Sequence, residues 1–433
     1  MLNETRTVLT LPESFTRILL KYLKTRYLNK KNISPRWDDR DTDYFARGIL
    51  ELNRGFTGNR AGRYFDYFSN PVMRSGYLAY FLPVNAMKFA GIFAKHDPDT
   101  KPGEIFIADI GAGPLTASLG FLFSLSRFER ADDLIQNRIT GITIDAYELN
   151  RSILNDGINL VYEYIKEAGL EKKIKIKINP VTGNIFRKKM PNPHKVENTT
   201  RADTMQKLMP KRVEKTFQGS KKRYDYILMG NFLNEFAMRD VQTGLVMNIL
   251  KNHSFQGTKV LMLEPGSKKI ARDLQFIRDE VVCNTQHRVL APCLHQLSCP
   301  LNLTAKSDWC NFTQRWQAPE FIRAFDAVTN LKKMYLLYSY LFLINDKNFT
   351  APKRPRDFIA ISDPMSEKGR LSLVGCGASG RIRFIRSNRD TSPQNDKLAL
   401  LHRGDYFSVP DLTPPDCFEL NMNVGIKKGD RVT

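Results

Sequence analysis

The 433-residue chain is short of cysteine, of acidic residues and of long apolar runs. Six cysteines are too few to staple a chain of this length, which excludes a disulfide scaffold. The longest clean apolar run, Tyr335 to Ile344, has ten residues, against the roughly 20 that a membrane helix needs. Residues 77–94 are also apolar, but Pro83, Asn85 and Lys88 interrupt them. A membrane-spanning protein is therefore not expected. Glu4, Glu13 and Arg17 fall where a secretion signal needs an apolar stretch, and the two acids also count against a transit peptide built on Arg6, Arg17, Lys21 and Lys24. The expected location is cytoplasmic, or mitochondrial for a eukaryotic source. With 45 Asp+Glu against 66 Lys+Arg, the net charge is +21. Such an excess suits a phosphate-bearing partner, because phosphate contacts dominate nucleic-acid affinity. Apolar residues at 42% and charged residues at 26% mark a globular chain.

What is present divides the chain into four parts. Residues 1–95 carry helical apolar spacing, as in Phe45, Ile49, Leu50 and Leu52, and no strand pattern, so a helical N-terminal domain is expected. The run Tyr77-Leu-Ala-Tyr-Phe-Leu-Pro83 reads as the end of a helix stopped near the proline. From 96 to 285, strand candidates at 104–110, 143–148, 173–178, 224–229 and 258–264 alternate with helical segments at 115–128, 152–168 and 241–250. That alternation predicts an α/β fold, a parallel sheet with helices on both faces and a ligand at the strands' carboxyl ends. Residues 187–223 interrupt it with 12 Lys+Arg against 3 Asp+Glu, as a solvated loop or an electrostatic arm for RNA. Residues 286–350 hold a cysteine-rich segment and the last core strands. Residues 351–433 hold short alternating runs (358–361, 371–374, 381–385), which predict a small β-rich domain. In it Arg381, Arg383, Arg386 and Arg389 are candidate phosphate contacts.

The first strand candidate runs into Asp109-Ile-Gly111-Ala-Gly113-Pro-Leu115. Glycines let the backbone turn tightly and approach a ligand, and the helix that follows offers unpaired N–H groups. Glu148 ends the next strand, where a carboxylate can accept both hydroxyls of a ribose. A dinucleotide site has its acid about 20 residues beyond a G-x-G-x-x-G loop. Here the gap from Gly113 to Glu148 is 35 residues and the third glycine is missing, which favours S-adenosylmethionine over NAD. Asn184 after the third strand and Asn231 after the fourth lie where a class I methyltransferase places its adenine-contacting and substrate-facing residues, with loop or helix capping as the alternative role for Asn231. Leu115 stands where a small residue is usual, and its branched side chain is expected to crowd the methionine end of the cofactor. Glu264-Pro265-Gly266 reads as a strand–helix turn.

Cys283, Cys293, Cys299 and Cys310 fall within 28 residues, with Cys376 and Cys417 further on. The gaps match no close C-x-x-C pair of a zinc ribbon. Cys376 is a plausible fourth partner for Cys293, Cys299 and Cys310, and four thiolates are what a cubane iron–sulfur cluster requires. Spacing alone leaves unligated thiols, or zinc with His295 replacing one thiol, as alternatives. The segment has few apolar residues, so a metal is expected to supply its order.

These motifs resemble the methyltransferase-like mitochondrial small-ribosomal-subunit assembly proteins and their bacterial counterparts. The matching residues are Tyr77–Pro83, Asp109–Gly113, Asn234-Glu235, Glu264–Gly266, Ala291–His295, Cys299-Pro300, Asp308–Arg315 and Gly404-Asp405. The resemblance covers residues 40–408 and is most specific in the cysteine block. It implies a class I methyltransferase Rossmann-like fold, S-adenosylmethionine bound at Asp109, Gly111, Gly113, Glu148, Asn184 and Asn231, and a 4Fe-4S cluster on Cys293, Cys299, Cys310 and Cys376. It also implies association with small-subunit ribosomal RNA during ribosome biogenesis. Leu115 departs from the family's cofactor loop, and Asn311 stands where the family often has histidine.

Three functions compete: an S-adenosylmethionine-dependent RNA methyltransferase, a non-catalytic ribosome-assembly factor retaining the fold as an RNA-binding platform, and a methyltransferase for a small molecule or protein. Net charge disfavours the third. No side chain stands out as a catalytic base, and methyl transfer needs little beyond positioning. A monomer is expected.

Overall fold

A computed structural model of the chain describes residues 9–28, 37–57, 66–97, 102–126, 139–182, 222–303, 308–332, 335–350, 357–378, 380–411, 419–428 and 430–433. These residues form two compact units. One comprises residues 1–254 and 315–336, the other residues 255–314 and 337–433.

The first unit begins with helices whose apolar faces follow the helical repeat. In α1 (Glu13–Tyr27) Phe15, Leu19 and Leu23 are buried, and in α2 (Asp39–Thr57) Phe45, Ile49 and Leu52 are. Trp37 stacks on Phe45 with ring centroids 5.6 Å apart, and lies edge-on to Phe325 of a late helix (Glu320–Thr329) at 5.5 Å. The fully buried Lys24 and Asp41 pair at 2.9 Å, as charges out of water must. A two-residue strand, β1 (Leu9–Thr10), runs parallel to Trp316-Gln317. A strand this short gives no periodicity, which is why the N-terminal region reads as purely helical.

The run around Pro83 differs from its expectation too. Helix α3 (Pro71–Gly76), capped by the Asn70 side chain, passes through a π-helical turn at Tyr77–Phe81 into α4 (Leu82–His96). Pro83 sits in the first turn of α4, where its missing N–H is tolerated, so the helix continues rather than stops. The segment Pro71–His96 is long and apolar enough to cross a membrane, but 89% of its apolar 18-residue window is buried inside the protein. Lys88 donates to Asn85 Oδ1 at 2.9 Å, so the two polar residues in the run bond to each other.

Four parallel strands follow: β2 (Gly103–Ile110), β3 (Ile139–Tyr147), β4 (Lys175–Val181) and β5 (Tyr226–Gly230). Their order is β5-β2-β3-β4. Helices α5 (Thr116–Ser126) and α6 (Arg151–Glu167) connect them, and α7 (Arg239–His253) follows β5. The chain reverses its direction of travel across the sheet at β2, and the glycine loop leaves the carboxyl end of that strand. This is the expected α/β architecture, a parallel sheet with connecting helices. The core strands and helices lie within a few residues of their sequence-based positions, because the central parallel strands β2 and β5 are short, mostly buried apolar runs.

In the second unit, β6 (Lys259–Pro265) pairs antiparallel with residues 338–344 of β9 (Tyr335–Asn345), and β7 (His287–Ala291) pairs with the same strand. Helix α8 (Lys268–Asn284) joins β6 to β7. Downstream lies a six-stranded sheet of order β14-β10-β12-β13-β15. Its members are β10 (Asp357–Ala360), β12 (Arg370–Gly377), β13 (Gly380–Ser387), β14 (Tyr406–Ser408) and β15 (Glu419–Ile426), with β11 (Met365–Glu367) on β12. Phe358, Phe384 and Phe407 close its core. The arginines of β13 are mostly committed within the protein: Arg381 pairs with Asp308 at 2.6 Å, and Arg383 with Glu367 at 2.5 Å. Arg386 is buried and donates to the Asn395 carbonyl at 2.8 Å. Alternation along β13 turns Arg386 inward, so only Arg389 remains as an exposed candidate for phosphate.

Candidate functional site

The glycine loop and the second strand's acid come together. Gly111 (φ +67°) and Gly113 (φ +52°) adopt left-handed backbone, and the Gly111 and Ala112 N–H groups donate to the Tyr147 carbonyl at 2.9 and 3.0 Å. The Gly113 N–H donates to Glu148 Oε2 at 2.9 Å, and the Asn150 N–H to Oε1 at 2.8 Å. Burial raises the Glu148 carboxyl above its ordinary value, and these N–H groups pull it back down. Asp109 is buried beneath the loop, where its Oδ2 accepts from the Ser118 N–H at 3.1 Å and hydroxyl at 2.6 Å. It pins the start of α5, and burial pushes its carboxyl up to about 7.

Aromatic side chains cover this loop, a feature the sequence reading does not anticipate. A Cβ on Gly111 would lie 2.4 Å from the Phe232 ring, and one on Gly113 would lie 3.6 Å from the Phe68 ring. The Tyr67 hydroxyl donates to Glu235 Oε1 at 3.1 Å, and Tyr67 and Tyr77 stack with centroids 6.0 Å apart. Burial raises both hydroxyls, Tyr77 to about 12, with Glu235 and Glu148 adding to the rise. Tyr77 opens the π turn, a rare element that clusters at functional sites. That turn and the aromatic-rich 64–81 stretch were the available signals.

Leu115 has φ +61° and a fully buried side chain. A side chain lining an open pocket would be exposed, so Leu115 packs inward rather than crowding a ligand. Its cost is a left-handed leucine, a strained backbone of the kind found at functional sites. Asn231 (φ +52°) makes the turn after β5, a conformation asparagine tolerates. Asn184, and residues 187–221 of the basic segment, lie outside the described residues.

The second unit gathers Cys293, Cys299, Cys310 and Cys376. Burial is the largest cause that raises the thiols of Cys299 (to about 12), Cys310 and Cys376, and the neighbouring cysteines add to each rise. Cys376 Sγ lies 3.7 Å from His295 Nε2. Among the described residues, no three or more His, Cys, Asp or Glu side chains form a group that could hold a metal ion. Cys283 is exposed on α8, and Cys417 lies outside the described residues.

Polar side chains hold the cysteine segment in place, a source of order its composition does not show. Asp279 of α8 accepts the Cys299 N–H at 2.9 and 3.1 Å and the Asn302 amide at 2.9 Å. Arg278 donates to the His295 carbonyl at 2.8 Å and also to that of Leu297. Gln296 exchanges two 2.8 Å bonds with the Val289 backbone. The Gly266 carbonyl, in the Glu264-Pro-Gly turn, accepts from Trp309 Nε1 at 2.9 Å and from the Asn311 amide at 3.3 Å. Asn311 in turn accepts from Arg403, and Ser339 donates to the Cys310 carbonyl at 2.9 Å.

Residues 185–389 match the family model described as mitochondrial small ribosomal subunit Rsm22. No curated protein matches the chain. Among solved structures, the chain is similar to magnesium protoporphyrin IX methyltransferase (ChlM) from Synechocystis PCC 6803 with bound SAM. The identity is 9%, covering 72% of this chain and 100% of that one, with a TM-score of 0.30. It is similar to the plantazolicin methyltransferase BpumL in complex with SAH at 11% identity, covering 78% and 99% of the two chains with a TM-score of 0.26. A putative SAM-dependent methyltransferase from Streptococcus mutans is 7% identical, covering 60% and 48% with a TM-score of 0.30. The family match spans all four gathered thiols and begins beyond the glycine loop. Over residues 185–389 the chain carries the pattern of the mitochondrial small ribosomal subunit family Rsm22, the methyltransferase-like small-subunit family that its motifs resemble.

Proposed function

We propose that this protein is an S-adenosylmethionine-binding, methyltransferase-like factor that acts on small-subunit ribosomal RNA or its assembly, in mitochondria. The observation that carries the cofactor reading is the closure of the Asp109–Gly113 loop onto Glu148 at the carboxyl ends of adjacent parallel strands. In that arrangement Gly111 and Gly113 present backbone to the ligand, Glu148 takes the ribose hydroxyls, and Asp109 fixes the loop from below. Asn231 faces the acceptor. The bound cofactor supplies an electrophilic methyl group, and the chain's contribution is to orient the acceptor and exclude water. Net charge +21 supports an RNA acceptor or scaffold.

The four gathered thiols support a 4Fe-4S cluster on Cys293, Cys299, Cys310 and Cys376. A tetrahedral zinc with bonds of about 2.3 Å needs its sulfurs nearly in contact. The alternative, a non-catalytic platform, is favoured by one observation: aromatic rings cover both loop glycines.

Calorimetry of the full chain with S-adenosylhomocysteine tests the cofactor reading. Binding is expected, weakened by roughly 1–3 kcal/mol in Glu148→Ala as ribose hydroxyls lose their partner. No binding by the unmodified chain overturns it and leaves only the platform.

A further inference from the structure

The end of the sheet that carries β1 turns one face to solvent. Strand β8 (Phe312–Gln317) lies between β1 and β9 there. Alternation sorts the side chains of the three strands: Leu9, Trp316 and Leu336 are buried, whereas Thr10, Arg315, Gln317 and Tyr335 are exposed. Tyr335 is 48% exposed, and the Arg315 guanidinium lies over its ring, 5.4 Å from the centroid. A surface tyrosine standing alone needs no explanation. This one is braced by a cation on an open sheet face, and none of the four outward side chains is acidic.

We propose that this face is a stacking platform for unpaired bases of RNA, with Tyr335 as the ring on which a base lies. The inference rests on the RNA reading of the protein's partner. Unpaired bases are recognised by stacking on aromatic rings and guanidinium planes, while polar side chains reach their edges. Tyr335 supplies the ring, Arg315 the cation that braces it, and Thr10 and Gln317 the flanking donors and acceptors. A duplex keeps the flat faces of its bases inside the stack, so the platform selects single strands over paired ones. A protein partner fits this face less well. Stable interfaces bury about 800 Å² per partner around an apolar centre, and here a single ring stands among polar and cationic groups.

Fluorescence anisotropy of the full chain tests this with two labelled probes, an unstructured RNA strand and a duplex of matched length. Tyr335→Ala and Tyr335→Leu should each weaken binding of the strand about tenfold, within the range for losing one base–aromatic stack. Leucine keeps apolar area but has no π face. Tyr335→Phe should bind the strand as the unmodified chain does, and duplex binding should be unchanged in all three. The salt dependence should also be unchanged in Tyr335→Ala, since no phosphate contact is lost. The control is Tyr44→Ala, which removes a similarly exposed tyrosine (44%) from α2 and should alter neither affinity. If Tyr335→Ala does not fold, Tyr335→Leu decides. Equal affinity of the strand for the unmodified chain and Tyr335→Leu overturns the inference and leaves the RNA reading standing. An equal loss in Tyr335→Phe and Tyr335→Ala, or an equal loss of strand and duplex, overturns it too. If the unmodified chain binds neither probe, the RNA reading and the platform fail together.

Discussion

The Gly113 N–H and the Glu148 carboxylate, 35 residues apart, meet at 2.9 Å and tie the glycine loop of one parallel strand to the end of the next. Glu148 thus has a structural task before any ligand arrives. Glu148→Gln keeps one acceptor oxygen and turns an NH2 donor toward either Gly113 or Asn150, leaving one N–H facing another donor. The ligand-free variant should lose about 1–3 kcal/mol of stability, read by chemical denaturation. Unchanged stability would mean that the loop holds its shape without the acid.

Gly111 is required twice over, by its left-handed φ and by the Phe232 ring at its missing side chain. Gly111→Ala should cost about 1–2 kcal/mol from the backbone alone, and more from the collision. Phe232→Ala in the same chain should restore the second part. Strictly additive losses in that double-mutant cycle would contradict the contact.

Asp109 gives a pH signature. Its carboxyl is raised from 3.8 to about 7 in the folded protein, chiefly by burial. Between those values the folded state holds a proton that the unfolded state has lost, so this group's contribution to stability falls as pH rises from about 4 to 7 and then levels off. Asp109→Asn should remove that part of the slope. Identical slopes in denaturation curves between pH 4 and 7 would place the ionisation elsewhere.

The β13 arginines sort differently from their appearance in the sequence. Arg386→Gln should destabilise the β-rich region, because it empties a buried bond to Asn395, while leaving the salt dependence of RNA binding unchanged. A flattened salt slope with unchanged stability would return Arg386 to the RNA surface.

Much of the first unit's core was legible because β2, β3 and β5 are short, largely apolar strands that end at or just before a glycine or an acid. Asp109, Gly111, Gly113 and Glu148 could be placed together from that alone. The aromatic cover could not: Phe68 and Phe232 meet the loop from positions far apart in sequence, and neither carries a local pattern. The cysteines were conspicuous by clustering, whereas Arg278 and Asp279, which order their segment, read as ordinary charges on a helix. Arg386 misled because a single charged residue on the inward side of a short strand looks the same in sequence as one facing water.

The central claim, action on small-subunit ribosomal RNA, is tested most directly by ultraviolet crosslinking of the full chain in its native cells, followed by sequencing of the bound RNA. Crosslinked reads should concentrate on small-subunit ribosomal RNA from the mitochondrial ribosome. Reads spread in proportion to RNA abundance, or concentrated on another RNA, would contradict it.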